Sequence, residues 1–254
     1  MLLLTPSLMA DQVRVRHTEG RIHGFLLLRD MDDKILASGG VTQLAKGNGV
    51  TTELRFQFKD GSIHEETSVF SQQRAFRLLT HRLVQKGPAF KRPTDMSMNT
   101  STGQVTIRYT DDDGKEKTIS ERMKLPADLS NGIVSTLLSD IDPKTRKTTL
   151  SMLVSTPKPR LVKLEISPGG EDSFSIGGSA AKAMRYAVKV EIGGISGMIA
   201  PLIGRDPPDT HIWMVGGKAP GFLKSEGQLF EGGPIWRIEM ASPVWPKGDS
   251  GQKR

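Results

Sequence analysis

One segment of this chain, residues 125–141, carries its apolar residues at helical spacing, whereas most other patterned segments alternate as strands do. Its stripe runs through positions 125, 129, 133, 134, 137, 138 and 141, with Ser, Thr, Asn and Asp opposite. Pro126 blocks extension toward the N-terminus, and Asp128 or Ser130 can cap the first turn. Asp142-Pro143 ends the segment, because a residue before proline avoids the helical conformation. We therefore predict a helix over 128–141.

The predicted helix must bury its stripe, so the rest of the chain has to provide an apolar surface. Burial of these apolar side chains contributes at most about 10 to 20 kcal/mol. Gly132 lowers the helix propensity by roughly 1 kcal/mol. Packing, more than local propensity, is thus expected to hold this segment helical, and the fold is expected to be organised around it.

Most of the remaining chain shows the apolar-polar alternation typical of β-strands. Leu54, Phe56 and Phe58 alternate with charged and polar residues and end at the hairpin signal Lys59-Asp60-Gly61. Residues 74–85 carry apolar residues on both faces, which fits a central strand or a helix, and we favour a strand. Predicted strands cover 13–28, 34–44, 54–58, 62–72, 74–85, 104–109, 117–123, 147–154, 160–166, 173–176, 183–192, 211–215 and 235–240.

Strands before the helix and strands after it predict a mainly β fold with few helices. We expect one large antiparallel sheet in sequential order, a half-barrel curled around the central helix. The 254 residues, 36% of them apolar, can form a single β domain over 11–246. A division into two domains near Asp142-Pro143 is the alternative. The polar residues 247–254 are expected to be a disordered tail.

The N-terminal residues and the lack of cysteine indicate the cellular compartment of the protein. Residues 1–10 are apolar and end in Ala10 before a polar pair, as a secretory signal does, although they lack a basic region. We predict a signal-peptide remnant and a periplasmic protein, with a frayed apolar N-terminus as the alternative. The absence of cysteine excludes disulfides and thiol chemistry. No segment reaches 18 consecutive apolar residues, so no membrane span is predicted.

The net charge of +7 would allow attraction to anionic partners. The basic residues are scattered, however, and they do not alternate with aromatic residues as a base-stacking surface requires. We predict no nucleic-acid partner.

The candidate catalytic and metal motifs are all incomplete. Residues 111–114, Asp-Asp-Asp-Gly, lack the later glutamate of a calcium loop and predict a hairpin turn. Residues 194–197 miss the nucleophile-elbow spacing by one position, and residues 177–182 miss the phosphate-loop spacing. The histidines are dispersed, at positions 17, 23, 64, 81 and 211. We predict no metal site, no cofactor and no enzymatic activity; a hydrolase with a site assembled from distant residues is a third hypothesis.

Glu121 lies between Ile119 and Met123 on a face that should be apolar. It is either a buried carboxylate with a partner or a sign that its strand lies at a sheet edge, and we favour the edge.

Aromatic residues supply the candidate binding site. The segment 193–243 combines many Gly and Pro residues with two of the three tryptophans, and a short or kinked helix is predicted at 195–203. Aromatic side chains bordering a curled apolar sheet can line a groove for an acyl chain or a lipoprotein, or can be ordinary core. The predicted groove residues are Phe56, Phe58, Tyr186, Trp213 and Trp236.

The signal-like N-terminus, the sequential strands and the helix after Met123 resemble exported bacterial proteins of the lipoprotein-carrier class, of the LolA and LolB type, over residues 13–241. The segments 199–214 and 232–238 resemble a signature of uncharacterised bacterial families. The resemblance implies that the helix and residues 195–203 fill the concave side of a half-barrel that binds acyl chains. Our leading hypothesis is a non-enzymatic periplasmic protein that binds a lipophilic ligand or envelope component. The alternative is a structural or protein-interaction module whose concave face is filled by its own helices, and the oligomeric state is left open.

Overall fold

The alternating segments of the sequence form strands throughout the computed structural model. It describes residues 12–111, 113–154, 158–176, 179–191, 207–217 and 220–241. The predicted signal remnant, the predicted helix at 195–203 and the predicted tail lie outside these residues.

One antiparallel sheet of fourteen strands contains nearly all the regular structure of the described residues. The strands are β1 (Ile22–Arg29), β2 (Ile35–Lys46), β3 (Gly49–Phe58), β4 (Ile63–Gln72), β5 (Phe76–Lys86), β6 (Thr94–Asn99), β7 (Gln104–Thr110), β8 (Glu116–Arg122), β9 (Thr148–Val154), β10 (Arg160–Ile176), β11 (Ser179–Glu191), β12 (Thr210–Val215), β13 (Gly221–Gln228) and β14 (Ile235–Met240). A single helix, α1 (Val134–Asp140), lies between β8 and β9 in the described chain.

The sheet order is sequential in two halves. It runs from β8 down to β1, then from β14 down to β9. β1 pairs with β14, with Leu26 opposite Met240 and Leu28 opposite Ile238, and so joins the first and last strands of the chain. The two outermost strands, β8 and β9, are therefore neighbours in sequence and are connected by the segment that contains α1. The predicted mainly β class with a large antiparallel sheet is confirmed.

Several local predictions are also confirmed. The ambiguous segment 74–85 is strand β5, and Glu121 lies on β8 at the end of the sheet. The predicted hairpin turn lies between β7 and β8, where Asp111 accepts hydrogen bonds from the backbone of Asp113 and Lys115. Other segments differ from the prediction. Residues 173–176 end the long strand β10 instead of forming a separate one, β1 begins only at Ile22, and β6 and β13 were not predicted.

The predicted helix over 128–141 is wrong in its first half. Residues 128–131 run alongside β9, where Leu129 bridges Ser151 in parallel and the Ser130 N–H donates to the Ser151 carbonyl at 2.9 Å. Gly132 has a φ of +68°, which turns the chain before α1 begins. The N-cap is Ile133 without a side-chain cap, so neither predicted capping residue has that role. The predicted C-terminus is correct, because the helix ends immediately before Asp142-Pro143.

Two apolar clusters fill the inner face of the sheet. The first, the helix cluster, combines residues of α1 with residues of strands from both halves of the sheet, so the sheet curls around a shared core. It includes Val50, Phe70, Met96, Ile107, Leu129, Ile133, Leu137, Leu138, Leu150, Leu164, Tyr186 and Ile212. The second, the aromatic cluster, includes Leu26, Leu28, Phe56, Phe58, Phe90, Trp236 and Phe230. None of the described helices is long and apolar enough to span a bilayer.

Candidate functional site on the inner face of the sheet

The five aromatic residues predicted to line a groove are buried, and they separate into three places. Phe56, Phe58 and Trp236 lie together in the aromatic cluster, whereas Tyr186 belongs to the helix cluster. Trp213 alternates with the inward residues of β12 and therefore faces outward. There its indole N–H donates to Asp172 at 2.7 Å. None of the five is more than 8% exposed. The described residues thus bring three of the five together as packed core.

Two loops close the aromatic cluster from one end. Phe90, in the loop between β5 and β6, lies with its ring centroid 5.4 Å from that of Phe58 and 5.4 Å from that of Phe230. Phe230, in the loop between β13 and β14, is 5.8 Å from Trp236. Edge-to-face contacts of this kind stabilise a packed aromatic core. The loops therefore occupy the space that a bound apolar ligand would need.

Polar side chains on the inner faces of β4 and β5 form the least expected part of this surface. We call this set the polar band, and its members are His64, Glu66, Ser68, His81 and Gln85. The register places His64 opposite Gln85 and Ser68 opposite His81. Because side chains alternate along a strand, all five point to the same face. The band therefore lies among the apolar residues of the inner face.

Each buried member of the polar band has a hydrogen-bond partner. The Gln85 amide donates to His64 Nδ1 at 3.1 Å and to the Leu229 carbonyl at 2.9 Å. Ser68 Oγ lies 2.9 Å from His81 Nδ1 and 3.4 Å from the Asn131 carbonyl. The band thereby connects the sheet to the loop after β13 and to the segment before α1.

Burial changes the protonation of the band. It lowers the pKa of His64 to about 4, and it lowers that of His81 to about 4 with a further contribution from His64. Burial also raises the pKa of Glu66 to about 7. The carboxylate of Glu66 lies 3.6 Å from His81 Nε2, and its side chain keeps 23% of its surface exposed. Near neutral pH both imidazoles are therefore uncharged, and Glu66 is close to its titration midpoint.

The order Ser68, His81, Glu66 resembles a nucleophile, a base and an acid, but the geometry does not suit acyl transfer. Ser68 is 1% exposed, and the Gly132 backbone lies directly against it. A substrate carbonyl could reach the hydroxyl only if the segment before α1 moved away. In this arrangement the serine and histidine position that segment.

A second set of polar contacts joins residues 128–131 to β9 and β10. The Asp128 carboxylate accepts from Ser151 Oγ at 2.9 Å and from Lys163 Nζ at 3.2 Å. The Asn131 side chain pairs with the backbone of Leu153 in both directions. These contacts explain why residues 128–131 follow β9 instead of forming the first turns of a helix, since the sheet edge satisfies their polar groups.

The open space near this surface is small. A cavity of about 110 Å³ lies beside Trp236, lined by residues of β1, β12, β13 and β14 and by Leu229 of the loop after β13. A larger depression of about 420 Å³ lies over the outer face of β4 to β7, where Thr67, Arg82 and Ser97 are adjacent. Among the described residues, no three His, Asp or Glu side chains are grouped as metal ligands would be.

Sequence reasoning missed the polar band and the two covering phenylalanines, Phe90 and Phe230. A signal for the band was available, because residues 64, 66, 68 and 72 share one face of a predicted strand and are all polar. No local pattern identifies Phe90 or Phe230, because both lie in loops.

No family model matches the sequence, and no curated protein is significantly similar to it. Among solved structures, the chain is similar to the crystal structure of a β-barrel-like protein with the domain of unknown function DUF1849 from Brucella abortus. The two are 11% identical and superpose with a TM-score of 0.44 over 89% of this chain and 97% of the other.

Proposed function

We propose that this protein is a non-enzymatic structural or protein-interaction module of the bacterial periplasm, whose concave face is filled by its own segments. The proposal rests on one observation, that segments of the chain itself occupy the inner face of the sheet. Helix α1 occupies one part of that face, and the loops that bear Phe90 and Phe230 occupy another. The location is proposed from the signal-like composition of residues 1–10 and the absence of cysteine.

Binding of a lipophilic ligand, such as an acyl chain or a lipoprotein, is the second candidate. The cavity beside Trp236 favours it, because four of the side chains that line it are apolar: Leu28, Leu229, Trp236 and Ile238. Its volume of about 110 Å³ is well below the roughly 300 to 1,000 Å³ of typical ligand pockets. An acyl chain would therefore require displacement of the Phe90 and Phe230 loops.

Titration with an environment-sensitive fatty-acid probe separates the two candidates. The interaction module predicts no saturable binding by the folded full-length protein. Stoichiometric binding that long-chain lipid reverses would instead establish the carrier. In that case Trp236→Ala should alter the probe affinity, whereas Trp213→Ala, on the outer face, should leave it unchanged and serves as the matched control.

A further inference from the structure

The two outermost strands of the sheet, β8 and β9, differ in whether their outer edge is covered. The edge of β9 is covered by residues 128–131 of the same chain. Strand β8, in contrast, has β7 as its one strand neighbour among the described residues. Its side chains are exposed or half-buried along its whole length. An uncovered edge of this kind presents backbone groups that can pair with another strand.

The register with β7 shows which backbone groups of β8 face outward. The Met123 N–H donates to the Gly103 carbonyl at 2.8 Å, and the Asp111 N–H donates to the Lys115 carbonyl at 2.9 Å. Hydrogen-bonded pairs alternate along an antiparallel ladder. The odd-numbered residues of β8 therefore bond to β7, and the even-numbered ones direct their N–H and C=O groups to the free edge. These are Glu116, Thr118, Ser120 and Arg122.

The sequence of β8, Glu-Lys-Thr-Ile-Ser-Glu-Arg, is complementary to itself when reversed. In an antiparallel pair of two copies centred on Ile119, Lys117 faces Glu121 of the second copy, and Glu116 faces Arg122. Thr118 faces Ser120, and Ile119 faces its own equivalent. This register also places the outward backbone groups in hydrogen-bonded pairs, because positions 116 and 122, and 118 and 120, are all even-numbered.

We propose that β8 is a homodimerisation edge, at which two copies of this chain pair across a two-fold axis through Ile119. Charged side chains on an edge strand ordinarily oppose pairing, but here each charge meets its opposite. Lys117 already contacts Asp111 of its own chain at 2.9 Å, and its side chain nevertheless remains 53% exposed. The inference goes beyond the proposed function and holds whether or not the inner face binds a ligand.

Sedimentation of the full-length protein over a wide concentration range tests the pairing. We expect a reversible dimer that weakens as the salt concentration rises, since exposed ion pairs are screened. A single strand pair buries a small area, so the association should be weak. A protein that remains monomeric at every concentration would overturn the proposal.

Charge reversal identifies the register. Glu121→Lys places two lysine pairs across the axis and should raise the dissociation constant about tenfold. Lys117→Glu places two glutamate pairs there and should raise the dissociation constant by a similar factor. An equimolar mixture of the two variants should form heterodimers, because their charges are then complementary. The double variant should recover the wild-type affinity. A dimer unaffected by either reversal would show that another surface is used.

Thr118→Pro tests the edge itself. Its N–H faces outward, so proline removes a hydrogen bond of the dimer and none of the bonds to β7. Thr118→Ala is the matched control and should dimerise normally.

A disulfide cross-link tests the register at the axis. Because the chain has no cysteine, Ile119→Cys supplies one thiol per chain at the axis, where facing residues lie within disulfide reach. Oxidation should cross-link this variant efficiently and a Thr118→Cys variant poorly, and equal cross-linking would exclude the register.

Discussion

Gly132 is the residue at which the chain changes from a sheet-edge segment to helix α1. Its φ of +68° lies in the left-handed region that favours glycine. A side chain there would also collide with the polar band, because an added Cβ would lie 3.0 Å from His81 Nδ1 and closer still to Ser68 Oγ. The position therefore combines a backbone requirement with a packing requirement.

Gly132→Ala should destabilise the protein more than Gly114→Ala does. Gly114 has a similar φ of +76° with open space around its Cβ position, so its substitution measures the backbone cost alone, about 1 to 2 kcal/mol. The Gly132 variant should lose several kcal/mol, because it must in addition separate the segment from Ser68. Urea unfolding compares the two variants. Equal losses would show that the contact with Ser68 contributes nothing.

The polar band makes stability depend on pH in two opposing ways. His64 and His81 have pKa values of about 4 in the folded protein and 6.5 as free side chains, so the unfolded chain binds more protons between those values. Stability from these histidines is present above pH 6.5 and is lost as the pH falls toward 4. Glu66 acts in the other direction, because its pKa is about 7 in the folded protein and 4.5 as a free side chain. Its contribution to stability is fully present below pH 4.5 and is lost as the pH rises through 7.

We therefore expect maximal stability near pH 6.5, with a loss on the acid side that the two histidines dominate. Each histidine contributes on the order of 3 kcal/mol at most. In Glu66→Gln the decline between pH 6.5 and 7.5 should disappear, and the decline on the acid side should become steeper. Urea unfolding measured from pH 4 to 8 gives both slopes. An unchanged profile in this variant would show that Glu66 titrates normally.

At the scale of elements, α1 is a short helix held by one face. Leu137 and Leu138 are 4% and 1% exposed in the helix cluster. The helix has seven residues and no side-chain cap, and isolated helices of this length are unstable in water. Packing against the sheet must therefore supply its stability.

Leu137→Asp should destabilise the protein severely, by about 4 kcal/mol or more, because it buries an unpaired carboxylate. Ser135→Asp should be tolerated, since Ser135 lies off the buried face in the first turn, where a negative charge is favourable. Thermal unfolding distinguishes the two variants. Similar melting temperatures would mean that the buried face of α1 is assigned incorrectly.

At the scale of the molecule, the pairing of β1 with β14 and the shared helix cluster unite the two halves of the sheet. The cluster combines Val50 and Ile107 from the first half with Leu164 and Ile212 from the second. Leu137 and Leu138 of α1 belong to the same cluster. This arrangement favours one folding unit over two independent ones.

We expect a single cooperative unfolding transition, with equal calorimetric and van't Hoff enthalpies. The two-domain alternative, divided near Asp142-Pro143, predicts that residues 12–141 and 142–241 unfold separately. Two resolved transitions in calorimetry would therefore support the division. Coincident transitions by circular dichroism and tryptophan fluorescence would add independent support for one unit.

The alternation of apolar and polar residues predicted most strands, because burial of one sheet face imposes a period of two on the sequence itself. The same reasoning located the C-terminal end of α1, where Asp142-Pro143 acts through local backbone sterics. It also identified the edge position of Glu121, since a charged side chain on an otherwise apolar strand face is accommodated most easily where water can reach it. Each of these features depends on residues close together in the chain.

Only the tertiary structure decided what the segment 128–131 and the aromatic residues do. Asp128 and Ser130 are good helix caps by type, yet their partners Ser151 and Lys163 come from β9 and β10 and draw them onto the sheet edge. Trp213 and Trp236 look equivalent in the sequence, but the pairing register directs one outward and the other into the core. The physical reason is that partners distant in sequence compete with local preferences and can exceed them, and nothing in a local pattern records which distant residues will meet.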